Sequence, residues 1–281
     1  MKDTSTSLGA AAAGAISGAS LPAAVDRATF QAELDELRAR EKAHTRESDA
    51  IAAARRRLPM VEVDAGLVLI GPKGPLSLLE AFEGRRQLIA YYFMWHPGRP
   101  AAEQCEGCTW NNTQVTESSY LHSRDITYAV FCQGPYDESS RYHDFMGWDM
   151  PWYSAQPSLG ELLVGRQIGL MHLVCYVRDG DRVFETYWTT RRGVEAVDYN
   201  YTLMDLTVFG RQEPWEDSPP AGRSSGGRRL RPRHPLRRAP HRPVVARGRR
   251  TLRRPRHWPT RQPRRAGHRL SLIPSARVSP G

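Results

Sequence analysis

From Asp26 to Leu58 the apolar residues fall at helical spacing: Phe30, Leu34 and Leu37 form one stripe and Ile51, Ala54 and Leu58 a second, with charged residues between them. The pattern predicts one long amphipathic helix, or two joined near His44. It ends before Pro59, because a residue preceding proline is pushed out of the helical region. The period then changes. Val61 and Val63, followed by Leu67 to Ile70, predict a strand or short hairpin, Gly71 to Gly74 ("GPKG") a turn, and Leu76 to Phe82 a short helix. Leu88 to Trp95 ("LIAYYFMW") is a continuous apolar run, as expected of a strand buried on both faces of a sheet.

After a turn around Pro97 and Pro100, Cys105 to Ser123 is polar and rich in Asn, Thr and Ser, and is assigned as helix on propensity alone. Asp125 to Cys132 ("DITYAVFC") predicts a second buried strand and Glu138 to Met146 a helix. "MGWDMPWYS" reads as an aromatic loop. "LMHLVCYVRDGDRVFETYW" gives two β-rich runs around a turn at Arg178 to Asp181, a hairpin. A final helix is expected over Val194 to Phe209, before the loop "GRQEPWEDSPP". The order helix, β, β-α, β-α, β-β, α predicts an α/β fold, a mixed sheet with helices on its faces.

Charge changes the picture at the C-terminus. The 281 residues carry a formal +10, but Ala221 to Gly281 hold 19 Arg, no Lys and no acidic residue, leaving 21 basic against 30 acidic side chains in 1–220, a net of −9. The tail also has 9 Pro and no helix or strand period, and the whole chain has only three Lys. Such a segment reads as out-of-frame translation of GC-rich DNA or as a disordered basic arm. It has no base-stacking motif of a nucleic-acid module, so nucleic acid is not an expected partner. Residues 1–25 read as a flexible leader, residues 26–58 as a helical extension and 59–220 as the domain. The leader lacks the apolar core of a secretory signal, no run is long enough to span a membrane, and four Cys with one close pair suggest a reducing cytoplasm.

That close pair, Cys105 and Cys108 in "EQCEGCTWNN", follows the first buried strand. One helical turn brings two sulfurs at this spacing within reach of a bond. Redox chemistry, metal ligation and simple packing are the alternatives. Cys132 and Cys175 sit singly on separate predicted strands and not as a second C-x-x-C, so a four-thiolate zinc site lacks its spacing signature; their expected role is as small buried hydrophobes. No cofactor is expected. Trp110, Trp148, Pro151 and Trp152 are candidate substrate-binding residues, with core packing as the alternative for the aromatic loop. Arg191 and Arg192 read as a solvated face. His96, His122, His143 and His172 show no ligand spacing and are taken as structural.

The motifs "AHTRESDAIAAARRRLPMVEV", "GPLSLLEAFEGRRQLIAYYFMW", "CEGC", "HSRDITYAVF", "MGWDMPWYS" and "VRDGDRVFETYWTTRRGVEAVDYNYTLMDLTVFGRQE", in this order over Asp26 to Pro220, resemble the thioredoxin-like family numbered 899 among the domains of unknown function. The resemblance implies a thioredoxin-like fold with the long helix added at its N-terminus. It also implies a thiol-disulfide oxidoreductase in which Cys105, at a helix N-terminus, attacks a protein or small-molecule disulfide and Cys108 resolves the mixed disulfide. The alternative is a non-catalytic thioredoxin-fold binding module, with the aromatic loop and final helix as its partner surface. Peroxiredoxin relatives carry Thr three residues before the reactive Cys, where this chain has Ala102, and thioredoxins place a cis-Pro before the third strand, where "GLMHLVCY" has none. A helix N-terminus favours an anion by about 0.3–1 kcal/mol, less than one pKa unit at about 1.36 kcal/mol per unit. Glu103 and Glu106 push the other way, so the expected pair is mildly reducing, without a strongly activated thiolate.

Overall fold

The computed structural model describes residues 21–213 and 215–217. The expected tail at 221–281 and positions 1–20 of the expected leader lie outside the described residues; Leu21 to Val25 run as exposed chain without regular structure.

Helix α1 (Arg27–Arg55) is continuous through His44, resolving the choice between one helix and two. Asp26 caps it, its Oδ1 accepting the N–H groups of Ala28 (2.8 Å) and Thr29 (3.0 Å), which satisfies two of the donors a helix start leaves unpaired. None of its residues is buried, and Phe30 and Leu37 are each 46% exposed. The expected apolar stripe therefore lies largely in solvent. The last turn reaches the sheet through Arg55, whose guanidinium stands 5.1 Å from the Tyr187 ring centroid.

One sheet follows, built from β1 (Val61–Val63), β2 (Val68–Gly71), β3 (Gly74–Ser77), β4 (Gln87–Phe93), β5 (Ile126–Cys132), β6 (Trp152–Ser154), β7 (His172–Asp179) and β8 (Arg182–Thr190), in the order β1-β8-β7-β4-β5-β6-β2-β3. Helices α2 (Glu106–Thr113) and α3 (Ser119–His122) connect β4 to β5, and α4 (Tyr136–Met146) connects β5 to β6. Helix α5 (Leu159–Leu162) follows β6, and α6 (Tyr199–Asp205) comes after β8. Strands β4 and β5 are parallel, β7 is antiparallel to β4, and β8 is antiparallel to β7. This β-α-β then β-β-α core, in spatial order β8-β7-β4-β5, is the thioredoxin-like arrangement implied by the resemblance. The fold class is α/β, a mixed sheet flanked by helices with an added N-terminal helix.

Strand alternation divides the interior into two cores. Leu88, Ala90 and Tyr92 of β4 and Ala129 and Phe131 of β5 face one side, packing with Phe82, Leu162 and Tyr176. Tyr91 and Phe93 face the other with Tyr128, Val130 and Cys132, against Cys108 of α2 and Tyr142 of α4. Both strands are covered on both faces, as their unbroken apolar runs predict.

Four expectations are corrected. β1 pairs with β8 and not with β2 (Val61↔Glu185), while β2 forms its hairpin with β3 across "GPKG", whose Gly74 at φ +100° is a turn position that L side chains rarely adopt. The helix expected over Leu76 to Phe82 is thus the end of β3 followed by a 3₁₀ turn at Glu80–Phe82. Part of the aromatic loop is a strand: Val130↔Trp152 and Phe131↔Tyr153 pair in parallel. The final helix is broken into a 3₁₀ segment, Arg191–Val197, and α6, because Asp198 leaves helical geometry (φ −104°, ψ 77°) to meet the side chain of Gln114. The β7–β8 hairpin forms as expected, with Thr186 as an extra residue whose hydroxyl bonds the Cys175 carbonyl (3.1 Å). No helix among the described residues is long and apolar enough to cross a membrane.

Candidate active site

The chain leaves β4 at Phe93 and turns through residues 94–104 before α2. Gln104, buried in this turn, fixes it: its amide NH2 donates to the carbonyls of His96 and Arg99 (3.0 Å each), and its Oε1 accepts the His96 N–H at 3.0 Å. Trp95 packs directly on the Gly134 backbone, where a Cβ would stand 2.1 Å from the indole Cδ1, so only glycine fits there. The turn delivers Cys105 to the N-cap of α2, and its Sγ accepts the Cys108 N–H at 3.3 Å. A sulfur here takes the place of the hydroxyl or carboxylate that usually caps a helix.

The two thiols differ sharply. Cys105 is partly exposed; Cys108 is fully buried. The Cys108 thiol hydrogen-bonds to Cys105 and, with the backbone N–H groups of Cys108 and Gly107, lowers the Cys105 pKa to about 7 against burial and the charge of Glu106. Burial pushes Cys108 well above its ordinary range, and the neighbouring Cys105 adds to the effect. Directed hydrogen bonds to the Cys105 sulfur, from the Cys108 thiol first, account for the lowering. Glu103, expected to oppose ionisation, is bridged to Arg99 at 3.0 Å.

Behind the pair, α2 turns a polar face inward. Asn112 donates to the Cys108 carbonyl (2.8 Å) and accepts from the Tyr128 hydroxyl (2.9 Å). With its amide oriented so that Oδ1 accepts from the Tyr91 hydroxyl (2.9 Å), Asn111 donates to both Asp198 carboxylate oxygens (3.0 and 2.7 Å) and to the Gly107 carbonyl (3.1 Å). Gln114 adds a further donor to Asp198 at 2.8 Å. Burial and the charge of Glu195 push the Asp198 carboxyl up to about 7, against Arg211 and against the amide donors of Asn111 and Gln114, which favour its charged form. A carboxyl that binds its proton more tightly folded than unfolded stabilises the fold below about pH 4, and that contribution is lost as pH rises through about 7. Asp198→Asn is therefore expected to flatten the fall in melting temperature between pH 4 and pH 8, by roughly 5 °C. Thermal melts at both pH values check this, and an unchanged pH slope contradicts it.

In front, Met94 lies against the pair, its Sδ 3.7 Å from Cys105 Sγ and its N–H donating to Cys108 Sγ at 3.4 Å. Thr109 bonds the Cys105 carbonyl and the Tyr142 hydroxyl (2.9 Å each). Tyr142 and Trp95 then line a cleft of about 520 Å³ with Pro100, Arg141 and the exposed Phe145.

The sequence-expected substrate residues fare differently. Trp148 and Trp152 are buried and stacked on each other (centroids 5.6 Å apart), with the Trp152 indole N–H donating to Ser139 Oγ at 3.1 Å. They belong to the same buried cluster as Cys108 and offer no exposed ring, in keeping with the core-packing alternative for the aromatic loop. Pro151 is half-buried, its carbonyl accepting the Val130 N–H at 2.8 Å. Trp110 is half-buried against Tyr201. Cys132 and Cys175 are apart from the pair's chemistry, pushed up by burial to about 12 and about 11. Among the described residues no three His, Cys, Asp or Glu side chains converge as a metal site. Sequence reasoning missed Met94, Gln104, Tyr142 and Asp198. Asn111, Asn112 and Gln114, polar at helical spacing beside a cysteine that must be buried, were the available signal.

The strand order β8-β7-β4-β5, with β4 and β5 parallel and β7 and β8 antiparallel, gives the protein a thioredoxin-like fold. The chain belongs to DUF899, a family described as bacterial protein of unknown function, which matches residues 19–231. No curated protein matches it. Among solved structures it is similar to Xanthomonas campestris peroxiredoxin Q, at 10% identity over 51% of this chain and 92% of that one, with a TM-score of 0.37. It is also similar to the peroxidoxin BcpB of Mycobacterium tuberculosis, at 12% identity over 50% of this chain and 94% of that one, with a TM-score of 0.34.

Proposed function

We propose that the protein is a thiol-disulfide oxidoreductase in which Cys105 is the nucleophile and Cys108 the resolving thiol. The observation that carries this reading is the asymmetry of the pair: a partly exposed sulfur held at a helix N-cap and lowered to about 7, backed by a buried partner raised well above its usual range. The Cys105 thiolate attacks one sulfur of a protein or small-molecule disulfide, the substrate S–S bond breaks, and the departing thiolate takes up a proton. Cys108 then passes its proton to the second leaving sulfur and attacks Cys105. The protein dithiol becomes a disulfide, and the substrate gains two electrons and two protons. The cleft lined by Trp95, Pro100 and Tyr142 offers room for the substrate along the turn that leads into Cys105, and a reducing cytoplasm is the compartment in which the dithiol would be regenerated.

The reading is tested by peptide-mapped alkylation of the reduced, metal-free protein from pH 5 to 9. Iodoacetamide is expected to modify Cys105 with a midpoint near pH 7, the rate rising with pH as the thiolate forms, while Cys108 stays protected. Faster modification of Cys108, or a Cys105 midpoint at the ordinary thiol value of about 8.5, would count against it.

A further inference from the structure

We propose that Cys105, Cys108 and Met94 together form a binding site for a soft monovalent metal ion, Cu(I), when both thiols are reduced. The inference stands on sulfur geometry and is independent of the exchange chemistry above. Met94 is tied to both cysteines at once, through its N–H to Cys108 Sγ (3.4 Å) and its Sδ to Cys105 Sγ (3.7 Å). Cys105 Sγ is in turn held by the Cys108 N–H at 3.3 Å. Three metal–sulfur bonds of about 2.3 Å at 120° leave their sulfurs about 4 Å apart. The Met94–Cys105 contact is already close to one edge of such a triangle.

The donor set decides the ion. Two thiolates and a thioether are soft ligands suited to Cu(I). Zinc favours four donors, commonly including imidazole or carboxylate, and among the described residues no such group joins the two thiols. Met171 and Trp95 pack against the same cluster, and the Met171 methyl lies 3.7 Å from where a Gly107 side chain would begin. The surroundings are therefore apolar, while the partial exposure of Cys105 leaves a way in. On binding, whichever of the two thiols is still protonated releases its proton to water, so one Cu(I) displaces up to two protons and no electron moves. Oxidation to the Cys105–Cys108 disulfide removes both thiolates and with them the site.

Anaerobic competition between the reduced full-length protein and bicinchoninate for Cu(I) tests the proposal. One Cu(I) per chain is expected, Met94→Leu should weaken binding by at least about 10-fold, since loss of a ligand costs no less than loss of an outer-shell partner, and protein alkylated at both thiols should hold none. Zn(II) offered at the same concentration should not be retained. Failure to hold Cu(I), wild-type affinity in Met94→Leu, equal retention of Zn(II), or binding to the alkylated protein would each overturn it. X-ray absorption of the Cu(I)-loaded wild-type protein needs no variant: three sulfur neighbours support the assignment and two exclude Met94. Disulfide reduction by the metal-free protein is a separate readout, so either reading can fail without the other.

Discussion

Cys105→Ser is expected to lower the rate of disulfide reduction, followed as insulin reduction with dithiothreitol, by at least about 10³-fold, since serine offers no comparable anion near neutral pH. Cys108→Ser should behave differently. It keeps the nucleophile and removes only the resolving thiol, so a covalent adduct with the substrate thiol accumulates and is visible by intact mass. Serine at Cys132 or Cys175 should change neither readout, because burial holds both thiols in the neutral form. Retained activity in Cys105→Ser, or a Cys108→Ser protein that traps nothing, contradicts the assigned roles.

The largest effect on stability is expected from Phe93→Ala. Phe93 is fully buried at the end of β4, its ring centroid 5.2 Å from that of Trp152, 6.2 Å from Trp148 and 6.3 Å from both Trp95 and Tyr142. Truncation leaves a cavity that four rigid rings fill poorly, so the cost should fall at about 3–5 kcal/mol, a large share of the roughly 5–15 kcal/mol that holds a domain together. Phe30→Ala on α1 is the matched control. That ring is 46% exposed, and its loss should stay within about 0.5 kcal/mol. Urea unfolding of both variants checks the contrast. A Phe93→Ala cost near that of Phe30→Ala would mean that the aromatic cluster does not support the site.

The parts of the fold that the sequence made legible share one physical cause. β4 and β5 are buried on both faces and so appear as unbroken apolar runs, and the β7–β8 hairpin announces itself through β-rich segments around Asp179–Gly180. What was hidden depended on tertiary partners. β6 reads as an aromatic loop because Trp152 to Ser154 become a strand through pairing with β5 and β2. The last helix breaks at Asp198 because Gln114, 84 residues earlier, competes for its carboxylate. α1 shows a clear period but finds no core, since amphipathic spacing does not say what covers the stripe. At the site, spacing located Cys105 and Cys108 and their order in the reaction was inferred from the resemblance. Their electrostatics were not legible, because Arg99 neutralises Glu103 and the Cys108 hydrogen bonds outweigh Glu106.

Cys105 and Cys108 are proposed to form a reversible dithiol–disulfide couple of reducing character. Equilibration of the protein in buffers of graded glutathione potential, with the peptide bearing both cysteines followed by mass, tests it most directly. A single two-electron transition is expected, with a midpoint more negative than the roughly −180 mV of protein disulfide isomerase, in keeping with a nucleophile near 7 and not near the DsbA value of about 3.5. A midpoint well above that value, or a pair that remains as two thiols across the whole range, would contradict the account.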